Sequence, residues 1–87
     1  MIELEVYAKG LRAESTLQEL HGQMDLLPLV RYKVDTHHDL VYFEIDPGAS
    51  VSLRQLTNIF MNIGLIPRIV GQIPAELDTE GGTQRLV

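Results

Sequence analysis

Residues 2–20 read IELEVYAKGLRAESTLQEL, and the spacing of their apolar side chains changes once. Up to Lys9 the alternation is strict. Ile2, Leu4, Val6 and Ala8 point one way, and Glu3, Glu5, Tyr7 and Lys9 point the other. That is the pattern of a strand with one buried face. From Ala13 the period becomes helical, with Leu17, Leu20 and Met24 continuing one apolar side against Glu14, Gln18, Glu19 and Gln23. Gly22 weakens the last turn and Pro28 stops any continuation. A strand that feeds a helix through so short a loop is the first half of a β-α-β unit.

The rest of the chain repeats this order with one strand added. LVRYKVD (29–35) alternates, THHD (36–39) turns the chain, and LVYFEID (40–46) returns with Val41, Phe43 and Ile45 on one face. Two alternating runs joined by a short polar link make an antiparallel hairpin. DPGAS (46–50) breaks the strand. Ser52 with Gln55 has capping-box spacing, and Leu53, Leu56, Phe60 and Ile63 form the stripe of a second helix. Gly64 falls where a helix ends in the left-handed region. PRIVGQI (67–73) is a last strand whose Pro67 and Gly71 suit a sheet edge.

Expected strands are therefore 2–9, 29–35, 40–46 and 67–73, with helices at 13–25 and 52–63. Right-handed crossovers fold this order into an α+β ferredoxin-like βαββαβ domain. Its four-stranded antiparallel sheet has order 4-1-3-2, with both helices on one face. The expected core is Leu4, Val6, Leu17, Leu20, Val34, Phe43, Ile45, Leu56, Phe60 and Ile63. Residues 1–74 form the domain; 75–87, AELDTEGGTQRLV, keep no period and are expected to be a mobile tail.

Composition removes several functions. With 87 residues there is one small core, which buries about two thirds of the unfolded surface. The absence of cysteine excludes disulfides, thiol redox chemistry and thiolate metal sites. A net charge of −5 without any basic run argues against nucleic acid and anionic membranes as partners. No apolar run is long enough to span a bilayer, and Glu3 and Glu5 stand where a secretory leader carries positive charge. The expected location is the cytoplasm.

GLRAEST (10–16) and the later EIDPGASVSLRQLTNIFMNIGL (44–65) give the chain a relative in pattern. Over residues 2–71 it resembles the heavy-metal-associated domain, the small copper-chaperone and metal-ATPase module. That family opens with a strand, then Gly-Met-x-Cys-x-x-Cys, then a helix. Here Gly10 matches the glycine, Leu11 the methionine, and Ala13 and Thr16 fall on the two cysteines. Leu65 replaces the tyrosine of the family's Gly-Tyr ending. The resemblance implies the ferredoxin-like scaffold, with the metal ligands lost from it. Cu(I) prefers soft thiolates; alanine offers no donor, and a threonine hydroxyl is a poor one.

Other sites compete. His37 and His38, adjacent in the hairpin turn, would with Asp35 or Asp39 offer a weak Zn²⁺ or Ni²⁺ site; an exposed polar turn is the plainer explanation. His21 borders the first helix's apolar stripe. Ser15, Ser50 and Ser52 lack His and Asp partners at motif spacing, so no catalytic residue is assigned and no enzyme is expected. Arg12 lies where acylphosphatases, which share this fold, hold phosphate, but nothing around it matches their motif. The 46–71 stretch resembles ACT-type regulatory domains, although its Pro-Gly follows the third strand rather than the first.

The open sheet face should carry Tyr7, Leu40 and Tyr42 among Glu3, Glu5, Arg31, Lys33 and Glu44. It lacks the basic surround of a base-stacking sheet. The reading is thus a cofactor-free binding module whose partner is another protein or a second copy. Tyr7, Arg12, Glu14, Tyr42 and Val70 are its candidate contacts. A homodimer is expected to use the sheet face or the fourth-strand edge.

Overall fold

The computed structural model describes residues 2–75 and 77. Six elements follow in order: β1 Ile2–Tyr7, α1 Glu14–Met24, β2 Val30–Asp35, β3 Leu40–Ile45, α2 Leu53–Asn62 and β4 Arg68–Val70. The sheet is antiparallel throughout and ordered β2-β3-β1-β4, the arrangement expected from the sequence. Among the described residues no helix is long and apolar enough to cross a membrane.

The alternating strands set their apolar faces against the helices. Leu4 lies opposite Phe43, Val6 opposite Val41 and Ile2 opposite Ile45. Val6, Val41 and Phe43 are wholly buried, and from α2 Leu56 and Phe60 meet them in the core. The Phe43 and Phe60 rings cross edge to face, centroids 6.0 Å apart. Such a pair adds about 0.5–1.5 kcal/mol beyond its buried area. A register slip of one residue in β3 would turn this whole set outward.

Leu17, Val34 and Ile63 are half-buried rather than central. Val34 lies on edge strand β2, and Ile63 caps the end of α2. Leu11, Val30 and Ile59 share the core with the residues foreseen for it.

β4 is much shorter than the expected 67–73. Pro67 has no N–H to donate, and Gly71, at φ +78°, turns the chain away from the sheet. Leu77, within the stretch expected to be a tail, is 4% exposed and packs in the core, its N–H donating to the Pro74 carbonyl. Residue 76 and residues 78–87 lie outside the described residues.

Candidate functional site

Two surfaces hold the candidate residues. The first is the end of the molecule where the β1–α1 loop meets the β2–β3 turn. Gly10 stands at φ +105°, and a Cβ there would come within 3.3 Å of Leu65 Cδ2. The positive φ is what favours glycine, and a side chain there would also press on Leu65. Leu11 is fully buried beneath the loop. The loop backbone is tied to the turn opposite: the Leu11 N–H donates to Asp39 Oδ1 (3.2 Å), and the Ala8 N–H to the Asp39 carbonyl (2.9 Å). Asp39 holds φ +56°, a conformation that a short polar side chain tolerates. Arg12 reaches across, with Nε donating to the Thr36 carbonyl (3.2 Å) and Nη2 to that of His37 (3.1 Å).

Ala13 is the N-cap of α1 and brings no side-chain cap. Thr16 is half-buried in the first turn, where Glu14 places a favourable negative charge near the helix N-terminus. Neither loop position fits a soft metal ion. Ala13 has no donor atom, the Thr16 hydroxyl is a poor ligand for a soft ion, and the Leu11 N–H and the Arg12 guanidinium are engaged by the hairpin. His38 Nδ1 lies 2.9 Å from Asp35 Oδ2, and the His37 ring stands edge-on to that of His38 at 5.2 Å. The Asp35 carboxyl is held below its ordinary value, chiefly by its hydrogen bond with the His38 side chain. Backbone N–H groups of His38 and His37 add to this. Among the described residues no three His, Asp or Glu side chains gather to hold a metal ion.

His21, on the outer side of α1, bonds through Nδ1 with the Tyr32 hydroxyl. Burial, followed by the Asp25 charge, pushes the Tyr32 phenol up. The pair ties α1 to edge strand β2.

The second surface is the open face of the sheet. Tyr42 and Val70 line one shallow depression of about 190 Å³ with Glu3, Glu5 and Gln72. Tyr7 lies one row further along, opposite Leu40 on β3 and Arg68 on β4. The Tyr42 phenol is raised above its ordinary value, first by burial, then by hydrogen bonding toward Glu3 and the charges of Glu3, Glu44 and Glu5.

Tyr7, Tyr42 and Val70 therefore share one face, whereas Arg12 and Glu14 belong to the loop end. Sequence reasoning missed Asp39 as the residue that fastens the loop. An Asp closing a polar turn was its only signal.

No protein-family model matches the chain, and no curated protein does. Solved structures do. The chain is similar to a yeast copper transporter domain, solved in its apo and Cu(I)-loaded states, with TM-score 0.68 and 14% identity; 82% of this chain and 97% of that one are covered. It is similar to a copper-binding domain of a P-type ATPase, with TM-score 0.67 and 14% identity over 82% and 96% of the two chains. The N-terminal domain of PacS from Synechocystis superposes with TM-score 0.63 and 12% identity, over 82% and 100%. The fold is thus that of the copper-binding domains, on a chain without cysteine.

Proposed function

We propose that this protein is a non-catalytic binding module that keeps the heavy-metal-associated scaffold and works through protein contacts, without a thiolate metal site. One observation carries the reading. The loop that would present two metal ligands has Ala13 and Thr16 in their places, and its Leu11 N–H and Arg12 are committed to the hairpin turn. A loop fastened in this way can serve as a fixed shape for a partner. It is poorly suited to accept an ion and hand it on.

Calorimetric titration with Cu⁺, Zn²⁺ and Ni²⁺ tests the reading, with Ala13→Cys/Thr16→Cys as the comparison. The native chain should bind none of them tighter than about micromolar, roughly −8 kcal/mol. The double variant should gain Cu⁺ binding through its two thiolates. Native binding tighter than micromolar that His37→Ala and His38→Ala abolish would replace this reading with a histidine metal site.

A further inference from the structure

The strand register places the side chains of the open face in three rows. In the first, Glu3 on β1 stands directly opposite Glu44 on β3, which stands opposite Arg31 on β2. In the second, Glu5 lies between Val70 and Tyr42, and Lys33 flanks Tyr42. In the third, Tyr7 lies between Arg68 and Leu40. Carboxylates thus occupy the two central strands, and the cations stand on the edges.

Like charges directly opposite on neighbouring strands destabilise a sheet. Glu3 and Glu44 are such a pair, and Glu5 adds a third carboxylate one row away. The depression beside them is lined by Glu3, Leu4, Glu5, Tyr42, Val70 and Gln72, two carboxylates and no cation. Val70 is 41% exposed and Tyr7 36%, so the face also offers apolar area. This combination suits a long basic side chain, whose aliphatic stem packs on apolar surface while its head meets carboxylates.

Two of the simplest ways to lay a second copy on this face bring like charges together. A twofold axis lays one patch upon itself. An axis along the strands, midway between β1 and β3, sets Glu44 of one copy over Glu3 of the other. An axis across the strands through the middle row sets Glu5 over Glu5. Either arrangement desolvates paired like charges, which costs several kcal/mol. An axis along β3 sets Arg31 over Glu3 and Lys33 over Glu5 but Glu44 over Glu44, so the occupant that meets all three carboxylates is a surface with cations of its own.

We propose that the open sheet face docks a cationic surface of a partner protein, with an arginine or lysine side chain seated between Glu3, Glu5 and Tyr42. This rests on the protein-contact reading above and names the chemistry of the partner. Tyr42 and Val70 supply the apolar contact, and the central carboxylates select the charge.

The test is a ¹⁵N NMR titration of the full chain with a blocked octapeptide of alternating arginine and valine. Its controls replace every arginine by glutamine or by glutamate. The arginine peptide should shift the amides of β1, β3 and β4 with millimolar or tighter affinity, and the controls should not. Glu3→Gln/Glu5→Gln should weaken binding about tenfold, as should raising salt from low to about 0.5 M. The salt series on the native chain reads the same charges if the double variant loses its fold. Equal binding of the glutamine peptide, shifts confined to the helices or the loop end, or no shifts at all would overturn the proposal. So would concentration-dependent broadening of these amides without peptide, which marks a second copy on the face. A chain that binds neither metal nor arginine peptide loses this inference and keeps the reading beneath it.

Discussion

Between β3 and α2 the chain closes its own hydrogen bonds, whereas between β1 and α1 it takes them from a distant turn. In the first connection Asp46 Oδ1 accepts the Gly48 N–H (2.8 Å), and the Asp46 carbonyl accepts that of Ala49 (2.8 Å). Ser52 and Gln55 then close a reciprocal capping box at 2.8 and 3.2 Å. Each of these partners lies within three residues, and one longer bond, from the Asp46 N–H to the Leu29 carbonyl (3.2 Å), continues the β2–β3 ladder. In the second connection the N-cap is Ala13, with no side chain to offer. The loop is held instead by Asp39, Thr36 and His37, more than twenty residues away. One connection is specified where it stands, and the other exists only when the sheet has formed. The externally held one is the connection that, in the family the sequence resembles, carries two cysteines.

The largest effect should come from the side chain that anchors the borrowed connection. Leu11→Ala removes a fully buried side chain beneath the loop, and should cost about 2–5 kcal/mol in urea denaturation. A loss below about 1 kcal/mol would show that the loop only rests upon the core.

Exchanging the caps sharpens the comparison. Ser52→Ala should cost about 1 kcal/mol, and Ala13→Ser should stabilise by up to about 1 kcal/mol, both read from thermal unfolding. If Ala13→Ser gave nothing, the α1 N–H groups would already have adequate partners, and the contrast would fail.

The smallest effect is on the hairpin that lends the bonds. The folded-state pKa of Asp35 is depressed, so its contribution is fully present above the ordinary value of 3.8 and fades as pH falls through the lower folded value. The melting-temperature difference between native chain and Asp35→Asn should therefore be constant above about pH 5 and shrink below about pH 4. A difference that grew on acidification would reverse the assigned sign.

This contrast also explains what the sequence made legible. The capping box, the helical stripes and the strand alternation are local patterns, and the elements stand within a residue or two of their expected limits except β4. β4 ends early because Gly71 leaves the sheet, a choice of φ that the letter G permits but does not dictate. Leu11 was readable as the counterpart of the family's methionine, but the reach of Arg12 to the carbonyls of residues 36 and 37 depends on two distant elements converging. The Glu3–Glu44 juxtaposition was hidden for the same reason. Each carboxylate reads as an ordinary solvent-facing strand position, and only the β1–β3 register sets them side by side. Leu77, alone in a stretch without period, gave no sign of its burial.

The three-residue β4 has a consequence for the time order of folding. β1 is fastened along six residue pairs to β3 but along only three to β4. Its β4 partners lie near the far end of the described chain, so that edge of β1 closes last during synthesis and opens first during fluctuation. While β4 is detached, a central strand presents the unpaired N–H and C=O groups of Glu5 and Tyr7. Those are the groups with which a strand of another molecule can pair. The shortest strand therefore acts as the kinetic guard of the sheet. Slow exchange of the β1 amides that face β4 would measure how seldom that guard is lifted.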